Sequence, residues 1–271
     1  MPKVPVDEAL AHLAELGFDG VELTVIPGYT TELSRLDALE RKRIRQLLDE
    51  HHLILSAISA HSNLLSDDST AHAANIARLK GAIDLAVELA QGDLIPVVNT
   101  TPGYRSKGSD DIKDLLVQRT TELVRYAQAR NVTIAIEPHL GAAIDTPEKM
   151  LQLLESVDSR YLMVNLDISH FDIIGLSIED AVAKLAPYIA STHVKDQRGH
   201  VPDYEFLIPG EGDFDYVRYL KTMLLHGYDG FITAEISFMV QRRPDFDPFA
   251  AAKLSYETLS HGFIEAGISR N

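Results

Sequence analysis

The sequence contains no cysteine. Disulfides and thiolate-bound metals are therefore excluded, and any metal has to take oxygen and imidazole ligands. A reducing compartment fits that absence. Basic residues are scarce: 25 Lys and Arg stand against 40 Asp and Glu, a formal charge of −15. No nucleic acid is expected as a partner, because its phosphates would be repelled over most of the surface. No apolar run approaches the roughly 20 residues that span a bilayer, and the opening MPKVPVDEAL lacks the basic-then-apolar order of a signal peptide. The expectation is a cytoplasmic protein with no membrane contact. Gly-x-Gly-x-x-Gly, Gly-Lys-Ser/Thr and Gly-x-Ser-x-Gly signatures are also absent, so neither a nucleotide cofactor nor a serine nucleophile is indicated. Gly210-Glu211-Gly212 alone reads as a loop opening a helix at Asp213, not as a phosphate cradle.

What is present is an alternation of short apolar runs with longer helical patterns, uninterrupted by a linker. Predicted strands are Gly20–Val25, Leu53–Ser59, Leu94–Asn99, Val132–Glu137, Leu162–Asp167, Ile189–Lys195 and Phe231–Ile236, each apolar and partly β-branched as strands buried on both faces are. Predicted helices are Val6–Leu16, Ser34–Glu50, Ser69–Ala90, Ser109–Arg130, Thr146–Ser156, Ile178–Ala186, Phe214–His226 and Pro248–Ala266. Gly17 is the expected stop of the first, and Thr146-Pro147-Glu148 reads as an N-cap, a Pro at N1 and an acidic first turn. Such alternation over 271 residues, 45% of them hydrophobic, predicts one α/β domain over residues 1–271, a (β/α)8 TIM barrel. Only seven strands are visible, and a helix precedes the first. The expectation is a barrel whose first strand is missing or truncated at the N-terminus; an open barrel, or one closed poorly by Met1–Pro5, is the alternative. Two unpaired edges would then be exposed.

Four of the runs end in an ionisable residue that their apolar bodies do not predict: Glu137 after VTIAI, Asp167 after LMVNL, His193 after IAST and Glu235 after FITA. In a parallel barrel the C-terminal strand ends share one mouth, where active sites form. A single strand-end carboxylate is commonly a helix cap or an ion-pair partner. Four such residues together are hard to explain structurally, since unpaired buried carboxylates are costly and a cation removes that cost. Three carboxylates and one imidazole suit Mn²⁺, with Mg²⁺, Co²⁺ or Zn²⁺ as other occupants.

The chain resembles the xylose isomerase-like TIM barrels of the sugar phosphate isomerase/epimerase superfamily, which includes ketose 3-epimerases, inosose dehydratases and endonuclease IV. GFDGVELT (17–24), IEPH (136–139), TPEK (146–149), NLDISH (165–170), HVKD (193–196), PGEGDFD (209–215) and AEIS (234–237) carry the resemblance over essentially the whole chain. It implies that Glu137, Asp167, His193 and Glu235 bind one divalent metal, and that Glu137 and Glu235 are the catalytic acid/base pair. A metal chelated by a hydroxyketone acidifies the intervening C–H and stabilises an enediolate. Proton return to the other face epimerises, return to the neighbouring carbon isomerises, and loss of a β-hydroxyl dehydrates. The implied substrate is a small keto sugar or cyclitol.

Further candidates surround these four. His61 and His170 lie just past their strands and could bind substrate oxygens. Lys195 and Arg198 could hold a hydroxyl or phosphate, and Glu22 could hydrogen-bond sugar hydroxyls or pair with a basic neighbour. His139, two residues after Glu137, is a candidate catalytic base. The epimerases carry another glutamate shortly after this position, where this chain has GAAID (141–145), a departure that also admits a lyase or dehydratase acting on a keto sugar, inosose or 3-keto glycoside. An endonuclease IV-like activity is disfavoured, since Leu94–Asn99 is followed by Thr-Thr with no histidine. The helix-side surfaces could support a homo-oligomer.

Overall fold

The structure, a computed structural model, describes residues 1–104 and 112–270. Seven parallel strands form one sheet in the spatial order β1 (Gly20–Thr24), β2 (Ile54–Ser59), β3 (Val97–Thr100), β4 (Ile134–Ile136), β5 (Leu162–Asp167), β6 (Ile189–Val194) and β9 (Thr233–Ala234). Between them run α2 (Ala38–Glu50), α3 (Ser69–Glu88), α4 (Ile112–Gln128), α5 (Pro147–Val157), α7 (Ile178–Leu185) and α8 (Tyr216–Leu225), with α1 (Val6–Leu16) before β1 and α10 (Pro248–Ala266) after β9. Short helices α6 (Ser169–Asp172) and α9 (Phe238–Gln241) follow β5 and β9 directly. Parallel neighbours joined through helices give the nearly closed wall of a TIM barrel, with its strand ends gathered at one mouth.

Local chemistry sets most element boundaries. Asp37, Asp68, Thr146, Ser177, Asp215 and Asp247 each accept backbone N–H bonds at the start of a helix, satisfying donors that have no partner within the helix. Asp37 divides the predicted helix Ser34–Glu50: a single 3₁₀ turn, Leu33–Arg35, precedes it and α2 follows. Asp215, not Asp213, opens α8. Gly17 ends α1 at φ +95°, where a Cβ would also stand 2.6 Å from the Tyr256 hydroxyl. The predicted strand Leu94–Asn99 is shorter than its apolar run, because Leu94 pairs back onto Gln91 in a tight turn. Of the predicted helix Ser109–Arg130, the segment 109–111 lies outside the described residues.

Sequence reasoning did not anticipate the antiparallel hairpin β7 (Asp196–His200) and β8 (Asp203–Leu207). Its strands, DQRGH and DYEFL, are too polar to show a buried face, yet the hairpin folds back over the mouth and brings Phe206 against the site.

Among the described residues β1 and β9 have no ladder between them, and these are the two edges at which the strand count left a gap. Met1–Pro5 does not fill it as a strand; Thr30, past β1, binds the Pro2 and Val4 carbonyls instead. The ring of Phe231 reaches across to Gly20, where a Cβ would lie 2.6 Å from it. A cavity of about 610 Å³ runs along this seam, between Leu13, Phe18, Ile232 and Phe263, and up to Glu22, His61, His193 and Glu235 at the mouth.

Candidate metal centre

Backbone ladders place the four strand-end residues. Glu137 is still held to β3, its N–H bonding Thr100 O at 2.8 Å. Asp167 and His193 are register partners in the β5–β6 ladder. Glu235 is tied to β6 by its N–H on Val194 O at 2.9 Å. Ligand atoms of Glu137, Asp167, His193 and Glu235 consequently lie within 4.8 Å of one another. Glu137, Asp167 and His193 are buried, and Glu235 is partly open.

The surrounding hydrogen bonds orient these groups. His193 Nε2 donates to Glu22 Oε2 at 2.9 Å, and that same oxygen accepts from Asn99 Nδ2 at 2.6 Å. The imidazole is thereby turned so that Nδ1 faces Glu137 Oε2 at 3.2 Å and Glu235 Oε2 at 3.9 Å. A carboxylate behind a histidine is the arrangement that fixes the tautomer of a metal ligand. Asn165 Nδ2 donates to Glu137 Oε2 at 3.0 Å, and Ser169 donates to Asp167 Oδ1 through its backbone N–H at 3.0 Å and its hydroxyl at 2.6 Å. The Lys195 ammonium lies between Asp167 and Glu235, bonded to both.

The charges are strongly coupled. Burial pushes the Glu137 carboxyl up, but His170, His193 and His61 around it hold it well below the usual carboxylate range. Burial opposes the Asp167 charge too, and Lys195 ahead of His170 turns the balance downward. His193 goes the other way: burial pulls it down, and the charges of Glu22 and Glu235 with the bonds to Glu137 and Glu22 raise it well above the ordinary imidazole value. Lys195 is raised as well, with burial overcome by Asp167, Glu235 and Glu137. Four carboxylates, counting Glu22, thus share one ammonium and a ring of histidines. This oxygen-rich, thiolate-free donor set of correct span fits a divalent cation.

The remaining sequence candidates divide. Glu22 stands behind His193. His61 Nε2 is 3.5 Å from Glu137 Oε2, and His170 Nε2 is 3.6 Å from Glu137 Oε1 and 3.4 Å from Asp167 Oδ2. Lys195 is fully inside the cluster, not in a solvated loop. His139 stacks on His170 with ring centroids 3.8 Å apart, and burial followed by the His170 charge lowers its pKa. The structure does not bring Arg198 to the cluster: it projects from β7, where its guanidinium binds Glu205 Oε1 at 3.0 Å and Glu211 O at 2.8 Å. Asn99, Asn165, Ser169 and Tyr104 escaped the sequence reading. For Asn165 the signal was available, since it stands two before Asp167 on a strand and so shares its face.

Comparison with known proteins agrees with this architecture. The profile of the xylose isomerase-like TIM barrel matches residues 10–253. An inosose dehydratase of Bacillus velezensis is 23% identical over 98% of this chain and 91% of its own length. A fructoselysine 3-epimerase of Shigella flexneri is 24% identical over 89% of each. The crystal structure of a xylose isomerase-like TIM barrel protein from Mycobacterium smegmatis in complex with magnesium superposes with a TM-score of 0.73 at 20% identity, covering 97% of this chain and 90% of that one. With a profile match spanning nearly the whole sheet, the chain belongs to the xylose isomerase-like TIM barrel family.

Proposed function

We propose that the protein is a divalent-metal-dependent isomerase or epimerase of small keto sugars or cyclitols, in which Glu137 and Glu235 move the proton. The observation that carries this reading is the pairing of two glutamates from different strands around one histidine nitrogen. Glu137 is sealed in the wall, and Glu235 faces the cavity. Glu137, Asp167, His193 and Glu235 would hold a cation such as Mn²⁺ or Mg²⁺, which would supply positive charge to acidify a C–H beside a carbonyl. Glu22 keeps the His193 ring in place, and Lys195 balances Asp167 and Glu235. His61 and His170, both beside Glu137, offer ring nitrogens to substrate hydroxyls. Glu137, held ionised by its histidines, is suited to accept the proton; Glu235, open to the cavity, is suited to return it.

A lyase or dehydratase is the second reading, favoured by His139. Burial lowers the pKa of this imidazole beside Glu137, which favours a base separate from the two glutamates for elimination. The named activity of the Bacillus relative supports it. Incubation of the metal-loaded protein in D₂O with ketoses, inososes and 3-keto glycosides, followed by NMR, separates the two. Deuterium uptake with a new diastereomer is expected. Loss of water or of an aglycone selects the lyase, and no exchange on any member, with or without Mn²⁺, overturns both. Glu235→Gln should slow exchange by about 100-fold or more; wild-type exchange in that variant refutes the acid/base assignment.

A further inference from the structure

The barrel wall is unevenly filled. β4 is buried at every position, whereas each residue from Phe231 to Ile236 stays partly exposed although most of them are apolar. All of these residues line the cavity of about 610 Å³ that runs between β9 and β1.

The main chain on both sides is turned toward that cavity. Glu235 N–H bonds Val194 O at 2.9 Å and Thr233 N–H reaches the Thr192 hydroxyl at 3.3 Å, so both residues face β6. Successive residues of a strand turn their N–H and C=O groups to opposite edges, which aims those of Ile232 and Ala234 into the seam. Across it, Val25 N–H bonds Ser59 O at 2.8 Å and Asp19 O accepts from Ile54 N–H, so alternate residues along β1 serve β2. Gly20 and Glu22, between them in phase, present their main-chain groups to the seam. Two strand edges thus face one another with no ladder between them among the described residues. Such edges are templates for a further strand.

The flanks suit one extended segment. Leu13, Phe18, Leu259 and Phe263 form an apolar wall on the helix side, while Ser56 and Thr233 line the barrel side. A strand sends alternate side chains to opposite faces, so the matching occupant alternates apolar with small polar residues. Charge sets its direction. Asp19 and Asp229 line the floor end, where β1 and β9 begin, and Glu22 and Glu235 line the mouth end. A strand parallel to both neighbours enters with its N-terminal end at the floor, where a basic residue meets the two aspartates. A free carboxylate at its other end would be repelled by the two glutamates.

We infer that the seam between β1 and β9 is a docking site for an extended apolar peptide segment with a basic N-terminal residue, added to the wall as a strand parallel to both. The Phe231 ring, which leans over Gly20, turns aside to admit it.

Hydrogen exchange tests this on the whole chain, independently of metal and activity. The ligand is an acetylated, C-terminally amidated peptide of about seven residues, in which valine alternates with serine after an N-terminal lysine. At about 100 times its Kd, amide exchange across 20–24 and 231–236 should slow by up to roughly 100-fold, with the β4–β5 side unchanged. Ile232→Pro removes a seam-facing N–H and spares the bonds of Thr233 and Glu235 to β6; it should weaken binding about 5-fold. Glutamate in place of the peptide's lysine should weaken binding about threefold, a difference that high salt removes. Unchanged exchange in both segments overturns the site. Slowing spread evenly over all strands, or equal binding by both peptides and by Ile232→Pro, means adsorption and overturns it as well. Protection that rises with protein concentration alone, with a dimer in sedimentation, gives the seam to a second copy and refutes the peptide. The wild-type exchange pattern decides even if Ile232→Pro does not fold.

Discussion

The two sides of the barrel mouth are built to different standards. On the β4–β5–β6 side, Glu137 and Asp167 are 2% and 0% exposed, and β5 and β6 run side by side until Asp167 meets His193 in register. On the β9–β1 side the last strand has two residues, and its ladder with β6 consists of His193↔Thr233 and Val194↔Ala234. Glu235 there is 29% exposed, and the cavity opens along the seam beyond it. Even the apolar packing divides, since Ile236 joins a small cluster around Ile208, Val240 and Ala251 apart from the main core. The packed side can hold ligands in one geometry because its backbone has no alternative partner. The seam side supplies a carboxylate that is partly open to the cavity, which is what the proposed acid/base role of Glu235 requires.

The largest expected effect comes from attacking the packed side. Asp167→Ala removes a buried carboxylate and leaves the Lys195 ammonium with Glu235 as its remaining bonded carboxylate. A loss of about 3–5 kcal/mol in urea unfolding is expected, together with loss of tight metal binding by calorimetry. An equal loss from Glu235→Ala would break the contrast between the two sides. Next is a matched pair of core truncations. Ile134→Ala, fully buried in β4, should cost about 2–5 kcal/mol, and Ile232→Ala at the seam about 1 kcal/mol, both by denaturant midpoint. Equal costs would mean that the seam is as tightly packed as the wall. The smallest structural change is Glu22→Gln, which keeps the shape but removes the charge behind His193. Metal affinity should fall roughly 10- to 100-fold with folding stability little changed, and unaltered affinity would remove Glu22 from the role of orienting the ligand.

The residues differ in how far they were legible. Glu137, Asp167, His193 and Glu235 stood out because each ends an apolar run, so one dimension of information sufficed. Lys195 was visible as a charge but not as a neighbour of Asp167 and Glu235, which lie 28 and 40 positions away along the chain. Arg198, three residues further, looked equivalent, yet it is paired across the hairpin with Glu205 and spends its guanidinium there. The β7–β8 hairpin was hidden because its polar strands lack the alternation that betrays a half-buried sheet. Glu22 was noticed, but its role depends on β1 lying across the barrel from β6, a relation set by closure and not by local sequence.

The sequence by itself determined the alternation of strand and helix, the number of parallel strands and the residues that end them. These follow from local propensity, hydrophobic period and capping, which are properties of neighbours in the chain. Only the tertiary structure decided which nitrogen of His193 faces inward, that Glu137 divides its oxygens between two groups of histidines, and that no ladder joins β1 to β9 among the described residues. Those are distances between atoms on different strands, fixed by register and by the curvature of the sheet, and no period along the chain encodes them.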